Sequence, residues 1–600
     1  MKKLIFTLTI LLTLLNLSQS ATLTFSTFLG SPSDDINSDF CIDDSGFIYI
    51  TGETSWGGFP ITTGSFDTTY NPGGLGIFPG YDIFVTKMNS NGSSLMFSTY
   101  LGGGLEDFSN SIQIDSAKSV YVCGFNFSGD FPVTLGAFQT NYNFGFLTKL
   151  NSTGSSLVYS TFLGGNLTDY LNSLKVNKQG FAYLTGQTGS EIIINSKNKK
   201  NASIDTLCQN TFPSTSGVYD ECSDESDVFL TKINQSGSGL VFSTFLGGSF
   251  PETAYDLIIE TNGNSYLTGS TGSNDFPITS NVFDPLYNNG DIFISKFNGT
   301  GDSLLISTFL GGSSGESSNE ILFDSIGDIY ISGNTNSTDF PSTTGSIDSY
   351  SDGFVLKLNK ELDNLVFANI IGGSEIDHFT GLGIDSKKNV YVCGYTHSAD
   401  FPISQNAFDK TFNGGWDDAF LTEFDSTGSI IFHSTYLGGN SSERRPKIKV
   451  LGKNSTLLLL NSESSNFPTT PNAFNTTFLG SGPDAQGDLV ITRFDSLDAV
   501  STKEIVNIPS NFILEQNYPN PFNPSTTIIY ELKITSNEFG KITIYNTLGG
   551  VVKEFILNDS KGSVKWNGTN ETGIQVASGV YFYRLEAGSF TQTKKMLFLK

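Results

Sequence analysis

Ser243-Thr244-Phe245-Leu246-Gly247-Gly248 decides the fold, because the chain repeats this stretch seven times. The copies begin at Ser26 (ending Gly30-Ser31), Ser98, Ser160, Ser243, Ser307, Ala368 (a degenerate Ala-Asn-Ile-Ile-Gly-Gly) and Ser434. Two further marks keep step with it. An aromatic-Pro pair recurs at Phe59, Phe131, Phe212, Phe276, Phe340, Phe401 and Phe467. A strand of the form Phe-Val-Thr-Lys starts at Phe84, Phe146, Phe229, Phe293, Phe354 and Phe420, with a degenerate copy over Leu489 to Phe494. A fixed period of this length marks a repeat architecture, in which each unit packs on its neighbours and the chain grows without a single large core.

One unit reads outward from Gly311. A loop with Glu316 leads to Ile321-Leu322-Phe323, a turn at Asp324 to Gly327, and Ile329 to Gly333. A loop through Asp339-Phe340-Pro341 then leads to Phe354 to Leu358, a polar turn at Asn359 to Asn364, and Leu365 to Ile371. Four short strands between turn residues are the pattern of a propeller blade. The first unit opens with a lone strand, Leu23 to Leu29, and the last stops without its own Ser-Thr-Phe-Leu-Gly-Gly strand. The surplus piece at one end matches the missing piece at the other. The expectation is an all-β chain: a seven-bladed β-propeller over 21–495 closed by the N-terminal strand, followed by a small C-terminal β-sandwich. The 64 glycines and 51 phenylalanines, against 4 methionines and 3 histidines, fit strands and tight turns. These repeats resemble the SBBP family of bacterial β-propeller repeats, a likeness that implies the fold and little about activity.

Lys2 and Lys3, an apolar run from Leu4 to Leu17, and small residues at Ser18 and Ser20 read as a cleaved secretory signal over 1–20. No later segment is apolar enough to be a membrane helix. Residues 21–513 hold 22 Lys and Arg against 52 Asp and Glu, whereas 514–600 hold 9 against 7. Such an acidic body repels nucleic acid, whose phosphates need clustered Lys and Arg.

Residues 496–512 read as a linker, and the pattern then changes. Asn517-Tyr518-Pro519-Asn520-Pro521-Phe522 opens a segment with Ile544-Tyr545-Asn546-Thr547-Leu548-Gly549, Trp566-Asn567-Gly568 and Gly579-Val580-Tyr581-Phe582-Tyr583. This order resembles the type IX secretion (Por) C-terminal sorting domain over 513–600, departing from it in Asn567, where Asp is commoner. The resemblance implies handling by the type IX machinery of a Bacteroidetes-type Gram-negative cell, passage across the outer membrane, and surface attachment or release.

An acidic residue follows each Leu-Gly-Gly mark by four positions: Asp35, Asp107, Asp169, Glu252, Glu316, Asp377 and Glu443. In a ring, seven such carboxylates at the mouth of the central channel could gather Ca²⁺, which prefers oxygen donors. A residue present in every blade reads more simply as a fold device accepting backbone N–H bonds in the interblade loop. Asp130, Asp275, Asp339 and Asp400 read as turn formers. Cys208 and Cys222 share a long insertion, Glu191 to Ser226, and are the disulfide candidates of an exported chain; Cys41, Cys123 and Cys393 read as core residues. A second insertion spans Asn71 to Gly80. His378, His397 and His433 occupy different positions in their units, and no nucleophile elbow, zinc motif or phosphate loop is present. The expected function is a non-catalytic exported propeller that binds a protein or glycan or serves as a surface component. The alternative is an exported propeller enzyme, a polysaccharide lyase or hydrolase.

Overall fold

The computed structural model describes residues 21–71, 73, 80–189, 211–223, 226–345, 350–452, 454–480, 486–495, 512–514, 516–532, 540–547, 550–557, 561–587 and 590–599. The expected leader over 1–20 and nearly all of the expected linker over 496–512 lie outside these. The described elements are all strands, and no helix among them is long and apolar enough to cross a membrane. The chain divides into two compact units, residues 1–337 with 347–506, and residues 338–346 with 507–600.

The described residues of the first unit form seven four-stranded antiparallel sheets. In the fifth sheet the strands are Glu316–Phe323, Ile329–Thr335, Asp352–Leu358 and Leu365–Ile371, in that spatial order. Its first turn closes because the Asp324 carboxylate accepts the N–H groups of Ile326 (2.9 Å) and Asp328 (3.2 Å), with Gly327 at φ 93°. The innermost strand of each sheet packs on that of the next, and Glu443–Gly452 of the seventh packs on Asp35–Ile42 of the first, which closes the ring.

The sequence marks keep step because they touch. In five blades the Phe of the aromatic-Pro pair lies on the first Phe of the Phe-Val-Thr-Lys strand, with centroids 4.1 Å apart for Phe59 and Phe84 and 4.5 Å for Phe131 and Phe146, and the pattern recurs at Phe212, Phe276 and Phe401. The Thr of that strand pairs across the sheet with the Ser of the Ser-Thr-Phe mark, as in Thr86 with Ser98 (2.8 Å) and Thr231 with Ser243 (2.7 Å). Where the mark degenerates to Ala368, the cross-strand partner is Leu356, so both hydroxyls are replaced together.

The lone N-terminal strand, Thr22–Leu29, pairs antiparallel with Asp488–Asp495, placing Phe28 opposite Val490. Its Phe25 and Leu29 enter one core with Phe40, Ile50 and Phe84 of the first sheet and Leu457 and Ile491 of the seventh.

One element is longer than its sequence suggests. The innermost strand begins at the acidic residue itself, Glu316 in the fifth sheet, five positions before Ile321. Each of the first six innermost strands carries a register shift at its third or fourth residue, for example between Asn37 and Asp39, between Leu171 and Ser173 and between Ser318 and Glu320. The bulge and the polar residues around it hide this half of the strand from a search for apolar alternation.

In the second unit, Phe512–Leu514, Thr526–Leu532 and Lys561–Trp566 form one sheet, and Val551–Leu557, Gly540–Asn546, Gly579–Ala587 and Phe590–Phe598 the other. Trp566, Phe522, Tyr583 and Phe598 are buried in their common core. The Asn-Tyr-Pro-Asn-Pro-Phe segment holds the final strand in place. Leu597 N–H donates to Asn520 Oδ1 (2.8 Å), Phe522 N–H donates to Leu597 O (3.0 Å), and Leu599 N–H donates to Phe522 O (3.0 Å). Asn517 Nδ2 donates to Thr526 Oγ1 (2.9 Å), while the Tyr518 side chain is 82 % exposed.

Candidate functional site

The seven acidic residues stand at the start of the innermost strands and are buried. Each accepts the backbone N–H four residues earlier: Asp35 from Ser31 (2.5 Å), Asp107 from Gly103 (2.7 Å), Asp169 from Gly165 (2.6 Å) and Glu252 from Gly248 (3.2 Å). Glu316, Asp377 and Glu443 do the same with Gly312 (3.3 Å), Gly373 (2.5 Å) and Gly439 (3.1 Å). Each carboxylate thus ties the loop before its strand to the strand itself, which is the backbone-accepting geometry expected of a fold device. Among the described residues no group of three or more His, Cys, Asp or Glu is placed to hold a metal ion. Asp130, Asp275 and Asp400 serve the same loops, accepting N–H bonds from Gly104 (2.8 Å), Ser249 (2.9 Å) and Ser374 (2.9 Å).

A second acid, which sequence reading missed, starts the third strand of most blades two residues before its aromatic or Val position: Asp82, Asp227, Asp291, Asp352, Asp418 and Asp488. The two carboxylates close on the first Gly of the Leu-Gly mark. A Cβ on Gly30 would lie 2.5 Å from Asp488 Oδ1 and 2.9 Å from Asp35 Oδ2, and one on Gly102 would lie 2.7 Å from both Asp82 Oδ1 and Asp107 Oδ2. Burial pushes Asp35 and Glu443 up to about 8 and Asp82, Asp107, Asp418 and Asp488 up to about 7, with loop hydrogen bonds pulling the other way.

One junction breaks this rule. The second blade carries Phe144 where the other six carry Asp. A pocket of about 640 Å³ opens there, with Phe144 and Tyr170 on its wall and Asn143, Asn166, Thr168 and Gln187 around them. Among the described residues no charged side chain lines it, although the chain holds 59 acidic residues. Phe108 and Phe125 stack at 4.9 Å, Phe125 and Phe144 stack at 5.5 Å, and Phe127, 43 % exposed, meets Phe144 edge-on at 4.9 Å. Gly189 and Ser226 on the rim bracket the inserted segment. Cys222 is disulfide-bonded; Cys208, its expected partner, lies outside the described residues, and Cys41, Cys123 and Cys393 are free and buried.

The equivalent positions of the sixth blade carry His378, Tyr395 and His397 in place of Phe108, Phe125 and Phe127. His378 Nδ1 lies 2.7 Å from Tyr395 Oη and Nε2 lies 3.1 Å from Ser351 Oγ, so Asp377 does not orient this imidazole. Burial, together with His397, holds His378 below its ordinary value, hence neutral near pH 7. His397 pairs with Asp417, which also takes Arg444 Nε at 2.8 Å. His433 is a buried core residue whose pKa burial lowers to about 4.

Tyr395 also reaches the mouth of the central channel, a cavity of about 390 Å³. The bulged innermost strands supply its wall: Asn110, Asn172, Asn319 and Tyr255 from the second to fifth blades, and Arg445 and Lys447 from the seventh. The amides form a girdle, with Asn110 Nδ2 donating to Leu171 O (2.9 Å) and Asn172 Nδ2 to Ala254 O (2.9 Å) of the next blade. Lower on these strands Lys175 pairs with Asp256 (3.0 Å) and Lys449 with Glu320 (3.4 Å).

Two segments of the chain match known family models. Residues 516–599 match the secretion system C-terminal sorting domain. The tail is a type IX sorting domain. Residues 367–402 match the β-propeller repeat. The sorting domain makes this an exported, cell-surface or secreted chain that passes through the type IX machinery. No curated protein matches the chain. Similar solved structures include a protein of unknown function from Dyadobacter fermentans, at 9 % identity and TM-score 0.37, covering 79 % of this chain and 99 % of that one. A fungal alcohol oxidase of the AA5 family, in complex with copper, has 11 % identity and TM-score 0.39, covering 97 % and 100 %. PorZ of Porphyromonas gingivalis, a surface component of the type IX secretion system, has 11 % identity and TM-score 0.20, covering 97 % and 86 %.

Proposed function

We propose that this exported propeller is a binding module that takes a neutral saccharide in the pocket between its second and third blades. The observation that carries the reading is Phe144. It replaces a buried carboxylate of the repeat and turns a loop junction into an aromatic-walled cavity that no charged side chain lines among the described residues. A sugar ring presents C–H groups on its faces and hydroxyls at its edge. Phe144 and Tyr170 suit the faces; Asn143, Asn166 and Thr168 suit the hydroxyls. The test is equilibrium binding of the full chain to a panel of neutral oligosaccharides, compared with Phe144→Asp, which restores the residue of the other blades. The expected result is retained melting behaviour with at least a tenfold loss of affinity. Unchanged affinity in the variant, or no binding to any neutral glycan, overturns the reading.

The His378 and Tyr395 pair favours a second reading, an exported enzyme acting on polysaccharide, because a neutral imidazole 2.7 Å from a phenol is an acid–base pair next to a ligand-sized cavity. It requires turnover of a polysaccharide by the purified chain that is abolished in both His378→Ala and Tyr395→Phe.

A further inference from the structure

The seventh innermost strand departs from the others in charge and in backbone. It reads Glu443-Arg444-Arg445-Pro446-Lys447, its register slips between Arg444 and Lys447, and Arg445 sits at φ 52°, in the left-handed region. A non-glycine residue there is strained and held in place by its surroundings, the kind of strain that clusters at binding sites. The bulge delivers Arg445 and Lys447 to the wall of the channel mouth. Neither makes an ion pair among the described residues, in a chain with a formal net charge of −26. The acid that senses Arg445 is Glu53, already occupied by the N–H of Ser109 (2.7 Å) and by Ser38 Oγ (3.0 Å). The lysines deeper in the channel are matched to Asp256 and Glu320, which leaves the two cations at the mouth as the unmatched pair of this cavity.

We propose that the channel mouth is a second binding site, which takes the carboxylate of a uronic acid. Arg445 and Lys447 meet the carboxylate, a group that guanidinium recognises in a bidentate fork. The rest of the wall suits the sugar that bears it. The girdle amides of Asn110, Asn172 and Asn319 each spend an N–H on the neighbouring blade and keep a side-chain oxygen that accepts no bond from the described residues. Those oxygens match hydroxyl donors, and Tyr255 and Tyr395 add ring surface on the same wall. A bare inorganic anion would use the two cations and leave the amide girdle unused, which is why an acidic sugar is the better occupant.

The test titrates the full chain with galacturonate, glucuronate and an oligogalacturonide, alongside galactose, glucose and inorganic phosphate. Uronate binding at least tenfold tighter than the matching neutral hexose is expected, weakening with added salt. Arg445→Gly removes the cation while suiting the left-handed backbone, and Lys447→Gln removes the other. Each is expected to cost at least tenfold in uronate affinity, whereas Phe144→Asp leaves it unchanged, which separates this site from the neutral pocket. A tighter oligomer identifies a polymeric source and equal affinities a free sugar, and both support the site. Uronate no tighter than hexose, affinity unchanged in the doubly substituted chain, or phosphate binding as tightly as uronate would each overturn it.

Discussion

Gly102 is held at φ below zero, so its lack of a side chain serves close approach: Asp82 and Asp107 both reach the point where a Cβ would stand. Gly102→Ala forces these carboxylates apart, and a loss of about 1–3 kcal/mol in denaturant unfolding is expected, as for other overpacked sites. The same pairs set a pH dependence. Asp35 rises from 3.8 to about 8 and Asp488 from 3.8 to about 7, so the folded state holds protons that the unfolded chain releases between those values. Stability from these groups is complete below about pH 4 and is lost as pH rises through 7 to 8. The melting temperature is expected to fall between pH 5.5 and pH 8.5, and Asp488→Asn, which keeps the shape and removes a titrating group, to flatten the fall. A profile flat or rising in the native chain contradicts the pairing. The first acid of each pair was legible in the sequence as a period-locked residue. Its partner was not, because an Asp before an apolar run reads as an ordinary strand start.

At the scale of strands, Ala368 shows how the repeat tolerates change. Its partner Leu356 is apolar, so the blade exchanges a hydrogen-bonded hydroxyl pair for a packed one. Ala368→Ser alone buries an unmatched hydroxyl, whereas Ala368→Ser with Leu356→Thr rebuilds the pair of the other blades. A double-mutant cycle is expected to return a favourable coupling of about 1 kcal/mol; zero coupling contradicts the cross-strand account. The closing strand makes a sharper case. Phe28 is fully buried against the seventh sheet and packs with Phe467 and Phe478. Phe28→Ala is expected to cost about 3–5 kcal/mol, although the residue lies near the chain start. Ring closure was legible as a missing strand matched by a surplus one. The first halves of the innermost strands were not, since their polar residues face a channel and a bulge breaks the alternation. The pocket was half legible: the insertion beside it stood out, but Phe144 is one more phenylalanine among 51 until the structure aligns it with six aspartates.

Over the whole molecule, the seven equivalent carboxylates accept backbone N–H bonds at matching places, whereas the unlike residues at matching positions, aromatic in the second blade and His and Tyr in the sixth, lie at or beside the two cavities proposed as binding sites. Export rests on the other unit. Removing residues 516–599 is expected to leave the propeller folded and retained in the periplasm, checked by cell fractionation; unaltered arrival at the surface or in the medium contradicts the role of the sorting domain. The central claim, that an exported propeller binds a neutral saccharide where Phe144 interrupts the repeat, is tested most directly by hydrogen exchange of the full chain with and without its best neutral oligosaccharide. The account predicts protection confined to peptides covering Phe125–Phe127, Tyr142–Phe144 and Gly165–Tyr170. Protection elsewhere with none in these segments would contradict it.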